Sequence, residues 1–97
     1  MAVGTVTGRT VSTTITAAAN AVYIKQNIAA ASATKLIVNA TKQKGTAAEC
    51  DLVSIKLPTA VGASGDTTDA ILTWKLAGPG GSQTYPVVIS VSEVDTA

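Results

Sequence analysis

Few side chains in this sequence could take part in chemistry. Histidine is absent, and the 97 residues include a single cysteine, Cys50. Without histidine the Ser-His-acid arrangement of nucleophilic catalysis cannot be built, and a zinc site would lack its usual ligands. The sequence therefore predicts that the protein is not an enzyme and that it holds no cofactor.

Two acidic pairs leave a calcium site open as an alternative. Glu49 with Asp51, and Asp66 with Asp69, could offer the oxygen ligands that calcium prefers. Neither pair is followed by the ligand series of an EF-hand, and a turn such as 66–69 is common in β proteins. We therefore expect no metal site.

Ser54 and Lys56 could act as nucleophile and base, because they stand two apart and share one face of a predicted strand. No pattern nearby indicates an oxyanion hole or a pocket. The net charge is +1, which gives no electrostatic reason to expect nucleic acid or an anionic membrane as a partner.

Composition indicates a protein whose surface is partly covered. Charged residues make up 13% of the chain, against about a quarter in typical domains, whereas hydrophobic residues make up 46%. A lone domain usually exposes more charge, so we expect self-association or a place in a larger assembly. The lone Cys50 cannot form an internal disulfide, and the first residues lack the pattern of a signal peptide, which indicates assembly in a reducing cytoplasm.

Alternation of side chains with a period of two predicts about six strands and an all-β fold. The run 17–33 is rich in alanine and could form a helix, but Val22 and Ile24 alternate with Tyr23 and Lys25, which favours a strand. The segment 36–41 carries apolar residues on both faces and is expected to lie centrally or between layers. In the segment 50–57 the odd-numbered residues are expected to share one face. The predicted strands are 9–16, 22–25, 36–41, 50–57, 70–77 and 87–92.

The stretch 69–94 predicts a long β-hairpin with Trp74 pointing inward. Its first arm alternates around Leu72, Trp74 and Leu76, and its second arm alternates around 87–91. The glycine-rich tip 78–82 would let the chain reverse. Together these patterns predict an antiparallel β-sandwich or barrel, formed by one domain, 9–97, with an extended N-terminal arm, 1–8.

Contacts with a partner are predicted in three exposed zones: the arm 2–7, the loop 62–69 and the tip 78–82. The candidate contact residues are Ala2, Val3, Thr5, Val6, Thr7, Gly62, Ser64, Asp66, Gly78, Pro79 and Gly80.

The whole chain, rich in Thr, Ala, Val, Gly and Ser and poor in charge, resembles the small β-rich structural proteins of virus particles. The resemblance is to the decoration or cement proteins of tailed-phage capsids. It implies an oligomer that binds a major capsid protein at capsomer junctions and stabilises the head of the virion. Two alternatives remain open: a tail, fibre or coat-like self-assembling subunit, and a small carbohydrate-binding module with Trp74, Tyr23 or Tyr85 as a stacking platform.

Overall fold

The computed structural model describes residues 2–62, 65–77 and 83–97, which form six β-strands and no helix. The all-β fold predicted from the sequence is therefore confirmed. The strands are β1 (Val6–Ala17), β2 (Tyr23–Ile28), β3 (Lys35–Lys42), β4 (Cys50–Lys56), β5 (Ala70–Leu76) and β6 (Gln83–Asp95).

The six strands form two antiparallel sheets of three strands each. The first sheet has the order β1-β6-β3, and the second has the order β2-β5-β4. The two central strands, β6 and β5, therefore have a neighbour on both sides, whereas the other four strands each have one open edge among the described residues. This arrangement places four edge strands beside two fully paired ones.

The core lies between the inward faces of the two sheets. Trp74 of β5 is fully buried, as its strand phase predicts, and its indole Nε1 donates a hydrogen bond to Gln26 Oε1 at 3.1 Å. Alternate residues of β5 and β6 supply most of the buried surface, because successive side chains of a strand point to opposite faces. The buried members of these two strands are Ala70, Leu72, Trp74, Leu76, Tyr85, Val87, Ile89 and Val91.

The predicted hairpin of residues 69–94 is wrong, although both of its strands exist. β5 and β6 follow each other in the chain but belong to different sheets. Each has a continuous apolar face, and placing the two faces opposite each other buries both across the core. If the two strands were paired in one sheet, their apolar faces would lie on the same side of that sheet, and other strands would have to cover both. The predicted tip 78–82 lies outside the described residues.

A bulge in β3 explains why its sequence resembles that of a central strand. β3 is an edge strand, not a central one, and its register with β6 shifts between Ile37 and Asn39. The extra residue, Val38, is exposed, while Ile37 and Ala40 both point into the core. The apolar residues on both faces of 36–41 therefore reflect the bulge, because an inserted residue changes the phase of the alternation.

The second bulge lies in β4, where the register with β5 shifts between Leu52 and Ser54. Leu52 and Ile55 pack against the core, whereas Val53 and Leu57 are exposed. The expectation that all odd-numbered residues of 50–57 share a face is wrong for the same physical reason as in β3.

The extended arm 1–8 is not confirmed as a separate segment. Val6, Thr7 and Gly8 belong to β1 and pair with β6. Just before the strand, the Gly4 amide donates to the carbonyl of Asp95 at 2.7 Å, and the Asp95 amide donates to the carbonyl of Thr5 at 2.9 Å. The segment gains order by pairing, as expected, but its partner is a strand of the same chain.

Candidate functional site

The predicted contact residues do not gather in one place. The N-terminal group, Ala2, Val3, Thr5, Val6 and Thr7, is exposed beside the end of β6. In the loop between β4 and β5, Gly62 is half-buried and Asp66 is exposed on the other sheet. The remaining predicted contacts, Ser64, Gly78, Pro79 and Gly80, lie outside the described residues.

The open edge of β1 is the first candidate site, and its length sets it apart. β1 has 12 residues, and all of them pair with β6 in one continuous register. An edge strand exposes a row of unpaired N–H and C=O groups, to which another strand can bind. β1 therefore offers a long template for strand addition.

Two hydrogen bonds of the neighbouring strand β6 show which residues of β1 direct their N–H and C=O groups towards β6 and which direct them towards the open edge. The Asp95 amide of β6 donates towards β1, to Thr5, whereas the carbonyl of Val88 accepts from Gln43 on the β3 side. Because these directions alternate along an antiparallel strand, the odd-numbered residues of β1 face β6. The even-numbered residues Thr10, Ser12 and Thr14 therefore direct their N–H and C=O groups to the open edge.

The other three edge strands carry features that hinder strand addition. β3 and β4 each contain a bulge, and β2 has only six residues. Lysines lie on all three: Lys35 and Lys42 on β3, Lys25 on β2 and Lys56 on β4. Bulges, short strands and edge lysines are the usual protections of a sheet edge.

β1 lacks each of these protections. It contains no proline, and its register shows no irregularity. Its single charged residue, Arg9, is turned to the inner side, where its Nε donates to Glu93 Oε1 at 2.7 Å. Of the four edge strands, β1 is therefore the one to which a second strand can add most readily.

A cleft on the outer face of the second sheet is the second candidate site. It has a volume of about 400 Å³ and lies between the sheet and the loop that joins β4 to β5. Small-molecule sites occupy about 300–1,000 Å³, so the cleft has the size of a modest ligand. Its lining residues are Lys25, Asn27, Ser54, Ile55, Lys56, Asp66, Ile71 and Thr73.

The register of the second sheet brings these lining residues together. Lys25 stands beside Thr73, which stands beside Ser54. In the next row Ile71 lies between Asn27 and Lys56. Sequence reasoning missed this site because its parts come from three strands, and only their pairing places them side by side.

Asp69 fixes the amide of Asn27 at the edge of the cleft. The buried Asp69 accepts a hydrogen bond from Asn27 Nδ2 through its Oδ2 at 3.3 Å, and its own amide donates to the carbonyl of Gly65 at 2.9 Å. Asp69 Oδ1 is buried and has no hydrogen-bond partner among the described residues. With Nδ2 committed to Asp69, the Oδ1 atom of Asn27 is left as an acceptor for a ligand.

The three aromatic side chains differ in their availability to a ligand. Trp74 is fully buried, and Tyr85 is buried with its hydroxyl donating to Gln83 Oε1 at 2.7 Å. Tyr23 is 60% exposed and precedes Lys25 by two residues on the same face of β2. Of the three platforms predicted from the sequence, Tyr23 alone is exposed, and it lies beside the cleft.

Basic residues fall into two groups. Three of the seven are held by internal partners: Arg9 by Glu93, Lys35 by Asp95, and Lys42 by backbone carbonyls. The exposed ones are Lys25, Lys44, Lys56 and Lys75. All of these except Lys44 belong to strands of the second sheet.

Two acidic residues continue the inward face of β6 beyond the apolar core. Glu93 is 1% exposed and accepts hydrogen bonds from Arg9 and from the Ala31 amide, at 2.7 Å each. Asp95 is also buried and accepts from Lys35 Nζ. These pairs tie β1, β3 and the β2–β3 connection to β6, which makes them structural rather than available for a ligand.

Cys50 is buried at the start of β4, as its small apolar character predicts. Burial raises the pKa of its thiol; the charge of Lys42 opposes this shift, and Glu49 and Asp51 add to it. A thiol held protonated in this way is a poor nucleophile.

Neither predicted acidic pair forms a cluster that could hold a metal. Within the ranges that the structure describes, no group of three or more Cys, Asp or Glu side chains comes together. Ser54 and Lys56 both line the cleft, in agreement with their predicted common face. No hydrogen bond joins these two side chains in the described part of the chain.

Comparison with protein-family models, with curated proteins and with solved structures finds no match. The described residues include no helix of the length and apolar character needed to cross a bilayer.

Proposed function

We propose that this chain is a structural virion protein, a decoration or cement subunit that binds as an oligomer at the capsomer junctions of a phage head. The observation that carries the proposal is the open edge of β1, which is long, regular and free of the protections found on the other edges. An open edge of this kind can bind strands of other chains and cause aggregation. A partner strand that covers the edge in the assembly prevents this.

Surface composition supports the same role. Exposed apolar side chains include Val3, just before β1, and Val6, its first residue, next to the edge that we expect to be covered. The outer face of β1 bears small hydroxyl side chains, Thr10, Ser12 and Thr14, with no charge to solvate. A surface of this kind can be buried against another protein at little electrostatic cost.

Many copies on one particle would compensate for weak individual contacts. The domain is small and its core depends on aliphatic side chains, so each interface is modest. Repeated contacts around a closed shell add their free energies, which gives strong attachment without a large single interface. A cement protein uses this principle.

Immunogold electron microscopy tests the location in the particle. Antibodies raised against the purified protein are applied to phage particles whose genome encodes it. We expect labelling distributed over the head. Labelling confined to the tail or fibres would favour a tail subunit instead, and particles without label would contradict the virion role.

A further inference from the structure

We propose that the outer face of the second sheet binds an acidic oligosaccharide, with the cleft holding one charged sugar unit and Tyr23 stacking on the next. This site is separate from the β1 edge and does not depend on the proposed virion role. It rests on the cleft, on the exposed tyrosine beside it and on the mixture of polar groups that line it.

The lining of the cleft matches a sugar that carries an anionic group. Lys25 and Lys56 offer two exposed ammonium groups for a carboxylate or sulfate. Sugar hydroxyls donate hydrogen bonds as well as accept them, and Asp66 and the Oδ1 atom of Asn27 are acceptors for them. The hydroxyls of Ser54 and Thr73 can serve either way, as donors or acceptors.

The same lining disfavours two other kinds of ligand. A polyphosphate or a DNA backbone offers mainly negatively charged acceptor oxygens, so it would leave the carboxylate of Asp66 facing like charge without a hydrogen-bond donor, whereas an acidic sugar brings hydroxyl donors beside its anionic group. An apolar ligand would leave the two lysines and the polar side chains without partners in a cleft to whose surface Ile71 contributes an aliphatic side chain, since the side chain of Ile55 packs against the core.

Tyr23 extends the cleft into a binding surface for more than one sugar unit. It lies two residues before Lys25 on one face of β2, at a distance of about 7 Å along the strand. Two linked sugar units of an extended chain are long enough to span this distance. An exposed ring at this position offers its flat apolar face to the C–H groups of a neighbouring sugar.

Isothermal titration with tetragalacturonate tests the site, and its methyl ester provides a neutral ligand of the same shape. We expect measurable binding of the acid that weakens as salt is added, and binding of the ester that is about tenfold weaker or undetectable. A sulfated tetrasaccharide in a second titration distinguishes sulfate from carboxylate as the preferred group; binding of either one supports the proposal.

Variants assign the binding to the proposed residues. K25Q, K56Q and Y23A are each expected to weaken the binding of tetragalacturonate about tenfold. K44Q is the matched control, because Lys44 is also exposed but lies in the β3–β4 connection, and it should bind like the unmodified protein. Emission from the buried Trp74 reports whether each variant is folded.

Any of the following outcomes would overturn the proposal. The first is that no acidic sugar binds to a folded protein. The second is that the ester binds as tightly as the acid, or that K44Q weakens binding as much as K25Q does. The third is that a tetra-aspartate peptide binds as tightly as the sugar acid, which would assign the face to acidic protein segments.

Discussion

The buried carboxylate of Glu93 shows how a single residue can secure the edge of a small sheet. It is almost fully enclosed and receives a hydrogen bond from the side chain of Arg9 and another from the backbone of Ala31. Enclosing a charge is costly unless it is paired, so these donors are needed for the fold to form.

Removing Arg9 should therefore destabilise the protein strongly. We expect R9A to lower the free energy of unfolding by about 3 kcal/mol, because it leaves Glu93 buried with its main partner gone. Urea denaturation followed by Trp74 emission measures the change. K75A, at an exposed lysine without a buried partner, should shift the midpoint little. Equal effects of the two substitutions on the free energy of unfolding would show that the Arg9–Glu93 pair does not stabilise the fold.

The Cys50 thiol should react slowly in the folded protein. Burial raises its pKa and removes it from solvent, so at pH 8 we expect Ellman's reagent to modify it at least about tenfold more slowly than in urea. Fast modification of the native protein would contradict the buried position.

The raised pKa of Cys50 also predicts a loss of stability at alkaline pH. Above the pKa of the unfolded thiol, the unfolded chain loses a proton that the folded chain still holds. The free energy of unfolding should therefore fall as the pH rises through this range and be independent of this thiol below it. The variant C50A provides the control, because its stability should lack this alkaline contribution.

At the scale of strands, the existence of each element could be predicted from the sequence and the pairing could not. Alternation around Trp74 and around Ile89 identifies two strands with one apolar face each. It does not say whether these faces lie side by side or opposite each other. Which arrangement forms depends on the other strands. β1 and β3 pair with the two sides of β6, and β2 and β4 pair with the two sides of β5, so β5 and β6 belong to different sheets.

Bulges are the second feature that alternation conceals. Val38 and Val53 each add one residue to an edge strand, and the phase of the strand changes beyond them. Seen in the sequence, each looks like an apolar residue on the wrong face, and in β3 this pattern favours a position that is central or between layers. The cleft was missed for a related reason, since its residues meet only when β2, β5 and β4 are in register.

Deleting Val38 should remove the protection of the β3 edge while leaving the fold intact. Without it, Ile37 and Ala40 still point inward, separated by Asn39 alone, so the strand becomes regular. We expect native Trp74 emission together with increased association, measured as turbidity over time. V38A keeps the bulged residue and should remain as soluble as the unmodified protein. A deletion variant that stays equally soluble would show that the bulge does not protect this edge.

At the scale of the whole molecule, the few charged side chains of the chain are distributed unevenly between the interior and the two sheets. Three of its six acidic residues, Asp69, Glu93 and Asp95, are buried, and the exposed lysines lie mainly on the second sheet. The two sheets thus present different surfaces: an uncharged hydroxyl-bearing edge strand in the first sheet and a polar cleft in the second. Our two proposals concern these two surfaces: self-association through the first and ligand binding at the second.

The mass of the protein in solution, measured by multi-angle light scattering, tests the central claim that β1 is an assembly edge. Ser12 directs its amide to the open side, so S12P removes an edge donor without removing a hydrogen bond to β6, and S12A keeps the amide as the control. We predict that the unmodified protein and S12A have a multiple of the 9.7 kDa chain mass, and that folded S12P has a mass of 9.7 kDa. An unmodified protein that stays at 9.7 kDa at every concentration, or a folded S12P with unchanged mass, would contradict the claim.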